Sequence, residues 1–209
     1  MTFEETLTSR RSIRRYKAEP VSREDIDACL QAAILAPSWK NSQTPRFYVV
    51  QSPEIRKQVD QEGLAPFNAD NAENAAVLVV MTFVRDKSGW GNDGAPANEG
   101  GNGWGWFDLG LACENFCLQA ANLGLGTLIM GIRDAHALKR ILGIPENEIV
   151  GPVVSLGHPD IDPVMPTRHS LVDAAKLWLC RDRQRIRRSF PGGCGEVSVR
   201  RPCRQGPVI

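Results

Sequence analysis

The chain has 209 residues, 42% of them hydrophobic, which suffices for the core of a single domain, and its formal net charge is +1. Residues 1–20 are charged throughout, which argues against a signal peptide, and the longest apolar run, Ala75 to Met81, is too short to span a bilayer. A cytoplasmic protein with no place in a membrane is expected.

The predicted elements follow in chain order. Residues 2–9 form an amphipathic pattern around Phe3 and Leu7 that runs into a basic cluster. Ser22-Arg23-Glu24-Asp25 has the hydroxyl cap and early acids of a helix start, and Ile26, Cys29, Leu30, Ala33 and Ile34 share one face. Pro37 ends this helix, and Ser38 to Pro45 is a polar loop. Arg46 to Val50 is a strand, Pro53 opens a helix to about Glu62, and Asn74 to Val84 is the central strand. Residues 86–105, rich in Gly, Asn, Asp and Trp, form a long loop of the kind that is functional or disordered.

Trp106 to Leu123 is strongly helical, with Leu109, Ala112, Cys113, Phe116, Cys117 and Ala120 on one face, and Gly124-Leu125-Gly126 closes it. Thr127 to Gly131 is a short strand, Ala135 to Leu142 a helix, and Ile149 to Leu156 a last core strand. Pro152 points to an edge position or a strand start there. About four strands separated by about five helices indicate an α+β or α/β domain. The six cysteines include no C-x-x-C, and no histidine pair lies near them, so free buried thiols are expected rather than a metal site.

Three segments carry chemistry. In Arg10-Arg11-Ser12-Ile13-Arg14, guanidinium groups flank a hydroxyl, a set suited to a phosphate, although a solvated basic helix end would read the same. Ala36 to Pro45 is dense in amides and hydroxyls around Trp39, groups that recognise the polar edge of a heterocycle or serve an ordinary connection. Gly124 to Gly131 fits neither the Walker nor the dinucleotide spacing, and Gly131 would let backbone approach a ligand.

"RRSIRRY", "APSWKNSQTPRFYVV", "FDLGLACENFCLQAANLGLGTLIMGI" and "IVGPVVSLGHP" resemble, in order and spacing, the FMN-dependent nitroreductase family, over residues 2 to about 170. The resemblance implies an α+β fold with a central mixed or antiparallel sheet flanked by helices, in an intertwined homodimer with FMN at its interface. It implies that Arg10, Arg11, Ser12 and Arg14 hold the FMN phosphate, the ribityl chain and one ring edge. Ser38, Trp39, Asn41 and Gln43 match the loop that crosses from the other subunit. Met130 and Gly131 match the segment against the isoalloxazine, with a backbone N–H facing N5, and Arg168 stands where a late basic residue completes the phosphate site. The implied chemistry is a ping-pong transfer from NADH or NADPH to a small acceptor such as a nitroaromatic or quinone. The flavin carries the electrons, Arg14 sits near the ring, and no side-chain nucleophile is needed. In that family the loop containing Trp90, Trp104 and Trp106 would wall the acceptor pocket, unless Trp104 and Trp106 simply anchor the helix start.

The resemblance sets a domain over residues 1–175 and leaves residues 176–209 as an atypical tail. That tail holds 9 of the 25 Lys and Arg but two of the 24 acids, leaving 16 basic and 22 acidic residues before it. Disorder, a nucleic-acid arm or a changed reading frame would each account for it. Two other functions therefore stand beside the first. One is a flavoprotein with a specialised reaction, such as reductive dehalogenation or dehydrogenation of a metabolite. The other is a nucleic-acid-associated protein acting through the tail.

Overall fold

A computed structural model describes residues 1–176, in which Met1–Pro166 is one compact unit and the residues from Thr167 onward belong to another. In the first unit four strands are formed: β1 (Pro45–Val50), β2 (Val77–Val84), β3 (Gly126–Met130) and β4 (Glu148–Gly157). They make one sheet in the order β1-β2-β4-β3, and every pairing is antiparallel. The helices are α1 (Phe3–Ser9), α2 (Arg23–Ile34), α3 (Pro53–Gln58), α4 (Pro66–Asn71), α5 (Gly103–Asn122) and α6 (Ala135–Leu142).

The central strands β2 and β4 are buried on both faces, which is why β2 reads as a continuous apolar run rather than an alternation. Val77, Val79, Met81 and Phe83 join α2 and α5 in one core through Ile26, Cys29, Phe116 and Cys117. Leu78 and Val80 join the other core, where Val59, Leu64 and Leu138 lie. Helix α5 buries the six residues its spacing predicts, and Gly124 follows it in a left-handed conformation at φ 76°. Cys29, Cys113 and Cys117 are free and buried as expected, and burial pushes the Cys29 thiol up to about 12. No metal-binding cluster occurs among the described residues, and no helix among them is long and apolar enough to cross a membrane.

Several expectations need correction. The helix opened by Pro53 stops at Gln58 and widens into a π turn over Val59–Gly63, and the short helix α4 then follows. Helix α4 is too short for a readable hydrophobic period, and Asn68 is its buried residue. Arg56 braces this region: it pairs with Asp60 at 2.8 Å and donates to the carbonyls of Ala72 and Ala75. The central strand starts at Val77 rather than Asn74.

Pro152 lies in an interior strand, not at an edge, since β4 pairs with both β2 and β3. The β2 register skips between Val80 and Thr82, and the β3 ladder ends at Val153. The proline therefore occupies a bulge, where no ladder partner needs its missing N–H. Arg133 fills in by donating to the carbonyls of Val150 (2.6 Å) and Gly151 (2.9 Å).

Helix α1 forms through a capping box of Thr2 and Glu5, but Phe3 and Leu7 point outward and Thr6 is the buried residue. Ile34 is also exposed, against the expectation from its spacing. In the second unit, Ser170 caps one turn of helix, α7 (Leu171–Ala174). The tail expected from residue 176 lies outside the described residues after Lys176, as do Cys180, Cys194 and Cys203.

Candidate active site

The basic cluster is placed by a glycine. Gly126 opens β3, and a Cβ there would lie 2.6 Å from the Ile13 side chain, so only glycine lets the 10–16 segment lie so close. Ser12 bridges Thr127 in parallel, and the Ile13 N–H donates to the Thr127 carbonyl at 2.9 Å. With Ile13 and Tyr16 turned into the core, Ser12, Arg14 and Arg15 face outward. Arg10 and Arg11 help line a cavity of about 240 Å³ floored by Gly124, Gly126 and Thr127.

The four cluster residues differ in what they leave free. Arg10 approaches Glu114 at 3.5 Å. Arg11 turns back to cap α1, donating to the carbonyls of Thr8 (2.7 Å) and Arg10 (2.8 Å), while its Nε is buried without a partner. Ser12 is exposed, and Arg14 is held by one long bond of 3.4 Å to the Ser12 carbonyl. Nearby, a hydrogen bond from Cys113 and another from Thr127 draw the Cys117 thiol below its ordinary range. The same pairing pushes Cys113 up.

The second group is the loop after α2. Ser38 leads into a 3-10 turn at Trp39–Asn41, and Lys40, Asn41 and Gln43 all have positive φ, at 45°, 56° and 48°. Non-glycine residues seldom hold that conformation unless their surroundings over-determine it. Here the Gln43 N–H donates to Ser38 Oγ (2.9 Å), Gln43 Nε2 to Asn41 Oδ1 (3.1 Å), and Arg46 to the Gln43 carbonyl (2.8 Å). The Trp39 N–H donates to both carboxylate oxygens of Asp108 at 3.1 Å, and the Trp39 ring packs on Trp104 with centroids 4.7 Å apart. Trp39 Nε1, Ser42 Oγ and Thr44 Oγ1 are buried without partners. Ser38 and Gln43 face a second cavity of about 310 Å³, shared with Phe47, Asp108 and Ala112.

The third group is Met130, buried at the end of β3, and Gly131, exposed, where an added Cβ would meet nothing within 4 Å. The next residue is tied down from α4 by Asn68, whose Nδ2 donates to the Ile132 carbonyl at 2.9 Å. Helix α5 starts at Gly103, so Trp104 and Trp106 lie in its first turn and not in the long loop, where Trp90 remains; Trp104 is taken up by packing. It lies against Trp39 and Phe107, and its Nε1 donates to Asn98 at 2.8 Å. Trp106 rests edge-on against Phe83 and stays exposed beside Phe107. The Nε1 of Trp90 is buried without a partner.

Within one chain, then, Arg10 and Arg11 of the basic cluster and Ser38 and Gln43 of the loop line different cavities, and Ser12, Arg14, Trp39 and Asn41 line neither. Arg168 belongs to the second unit, where it is exposed. Sequence reasoning missed Asp108 and Asn68. An acid on the otherwise apolar face of α5 was the available signal for the first; nothing in the local pattern marked the second.

The model of the nitroreductase family matches this chain over residues 7–67 and 60–158. A relative from Archaeoglobus fulgidus, whose name includes NADH dehydrogenase and NAD(P)H nitroreductase, is 36% identical over 158 residues, covering 73% of this chain and 83% of its own. The NADPH-flavin oxidoreductase of Vibrio harveyi is 31% identical over 169 residues, covering 78% of this chain and 68% of its own. The solved structure of an NADPH:FMN oxidoreductase from Vibrio harveyi complexed with NAD+ superposes with a TM-score of 0.69 at 27% identity, covering 84% of this chain and 76% of that one. The motif order, the antiparallel sheet and these matches lead to one assignment: this chain belongs to the nitroreductase family.

Proposed function

We propose that the protein is an NAD(P)H-dependent flavin oxidoreductase. It passes electrons by way of FMN, in a ping-pong cycle, to a small acceptor such as a nitroaromatic or quinone. The observation that carries this is a pair of incomplete polar half-sites on one chain of this family, each with buried donors left unpartnered: Arg11 Nε in one, Trp39 Nε1 in the other. Buried polar atoms without partners are uncommon in native proteins, and a bound ligand, ion, water or second chain accounts for them.

The residues fit a phosphorylated flavin. Arg10, Arg11 and Ser12 supply charge and a hydroxyl to a phosphate and a polyol, and Arg14 offers a cation free to lie along a ring edge. Arg168 would complete the phosphate set. An added Cβ at Gly131 would meet nothing within 4 Å, which leaves the backbone next to the buried Met130 uncovered for a flat ring. Ser38, Trp39, Asn41 and Gln43 of each chain would serve the cofactor of the other copy, in a homodimer with FMN at the interface. When bound, FMN supplies the hydride chemistry that no side chain of this site could perform. The chain's own part is to hold the phosphate, set the ring against Gly131, and place positive charge where the reduced ring carries negative charge. The three buried free thiols support a reducing, cytoplasmic location.

The test is the visible spectrum of the purified protein, followed by anaerobic addition of NADH or NADPH and then of a nitroaromatic or quinone. A flavin band that bleaches with either donor and returns with the acceptor is the expected result. Bound FMN that neither nicotinamide reduces would move the protein to a specialised flavin reaction. A chain that stays colourless when given FMN would overturn the proposal.

A further inference from the structure

Asp108 is 2% exposed and sits in the second turn of α5, on the face otherwise filled by Leu109 and Ala112. Its hydrogen-bond partners are neutral: the Trp39 N–H on both oxygens at 3.1 Å, and the Ser88 hydroxyl at 2.5 Å. No Lys or Arg pairs with it among the described residues. A buried carboxylate with only neutral donors is a poor stabilising device, since an apolar residue would fill that place without the desolvation cost. What the carboxylate does here is join three elements. Trp39 lies in the strained 38–43 loop, Ser88 lies in the long loop after β2, and α5 carries the acid itself. The Trp39–Trp104 packing closes the same circuit from the other side.

We propose that Asp108 is a positioning residue. It clamps the 38–43 loop and the 85–102 loop into one preset unit, so that Ser38, Asn41 and Gln43 stand in their cofactor-binding arrangement before FMN arrives. This rests on the flavin assignment above and extends it to the residue that pre-orders half of the site. The three left-handed residues at 40, 41 and 43 would otherwise relax toward ordinary backbone conformations. Ordering them in advance removes that cost from binding, which is the effect of preorganisation. The clamp works through hydrogen-bond geometry rather than charge. An asparagine in its place would accept from the Trp39 N–H through its oxygen and donate to Ser88 Oγ through its nitrogen.

The experiment uses the full chain with Asp108→Leu, Asp108→Asn and Ser88→Ala. It measures FMN affinity by fluorescence titration, and tryptic cleavage after the exposed Lys40 and Lys87, with exposed Lys17 as internal reference. Asp108→Leu should speed cleavage at both lysines tenfold or more relative to Lys17. It should also weaken FMN binding at least tenfold. Asp108→Asn should restore cleavage and affinity to within threefold of the unsubstituted chain. Ser88→Ala should release Lys87 and not Lys40.

Unchanged cleavage and affinity in Asp108→Leu would overturn the proposal, and so would an Asp108→Asn variant as damaged as Asp108→Leu. If the leucine variant does not fold, the other two decide: release of Lys40 by Ser88→Ala, or of either site by Asp108→Asn, overturns it. A chain that binds no FMN at all defeats the flavin assignment, and the cleavage pattern still decides the clamp.

Discussion

Two glycines five residues apart act in opposite ways. At Gly126 a methyl group would lie 2.6 Å from Ile13, so alanine there must push the 10–16 segment off β3 and carry the arginines with it. Overpacking of this kind costs about 1–3 kcal/mol. At Gly131 a Cβ meets no protein atom within 4 Å, so Gly131→Val should leave thermal stability within about 0.5 kcal/mol. Its side chain would nonetheless occupy the space assigned to the ring. Gly131→Val is therefore expected to melt like the unsubstituted chain and to bind FMN at least tenfold more weakly, and Gly126→Ala to lose both stability and affinity. Undiminished FMN binding in Gly131→Val would remove this segment from the site.

At the level of elements, what the sequence made legible follows from how each signal is generated. Helix α5 and strand β2 were readable because burial imposes a period on them: 3.6 residues for the helix, none for a strand covered on both faces. Helix α4 was not, because six residues with one buried side chain carry no period. The basic cluster and the 38–43 loop stood out as residue types at tight spacing, and a family resemblance could join them. Asp108 and Asn68 act through backbone groups 69 and 64 residues away, and no local pattern encodes such a pairing.

Pro152 misled for a physical reason. A missing N–H excludes proline from a regular ladder, and the bulge that resolves the conflict receives hydrogen bonds from Arg133, a residue outside the strand. Hydrogen bonds from a charged donor contribute about 1.5–3 kcal/mol each. Arg133→Met keeps the apolar stem while stripping the Val150 and Gly151 carbonyls of their donor. A loss of about 2 kcal/mol is expected, seen as a lower urea midpoint with unchanged slope. An unchanged midpoint would mean that water replaces the guanidinium and that the bulge holds itself.

On the scale of the whole molecule, the single chain leaves large apolar side chains uncovered on the helices that flank its half-sites. Phe3 is 74% and Leu35 73% exposed, with Leu7, Ile34, Trp106 and Phe107 also open to solvent. Phe3 and Leu35 border a cleft shared by α1, α2 and α5, alongside Ala32, Asn115 and Leu118. Exposed apolar side chains grouped beside polar ones are what a partner covers, and in the homodimer proposed above that partner is a second copy whose 38–43 loop would reach the arginine cluster of the first. Dimerisation and FMN binding should then be one event. Leu35→Glu combined with Phe3→Glu places like charges in the contact while altering only exposed positions, so the protomer should keep its far-ultraviolet circular dichroism. The expected outcome is a monomer by sedimentation at micromolar concentration that has lost FMN, with flavin recovered as protein concentration is raised toward the weakened dimer constant. A monomer that retains FMN with undiminished affinity would show that one chain completes its own site. The unpartnered donors at Arg11 and Trp39 would then have to meet the same flavin from within a single protomer.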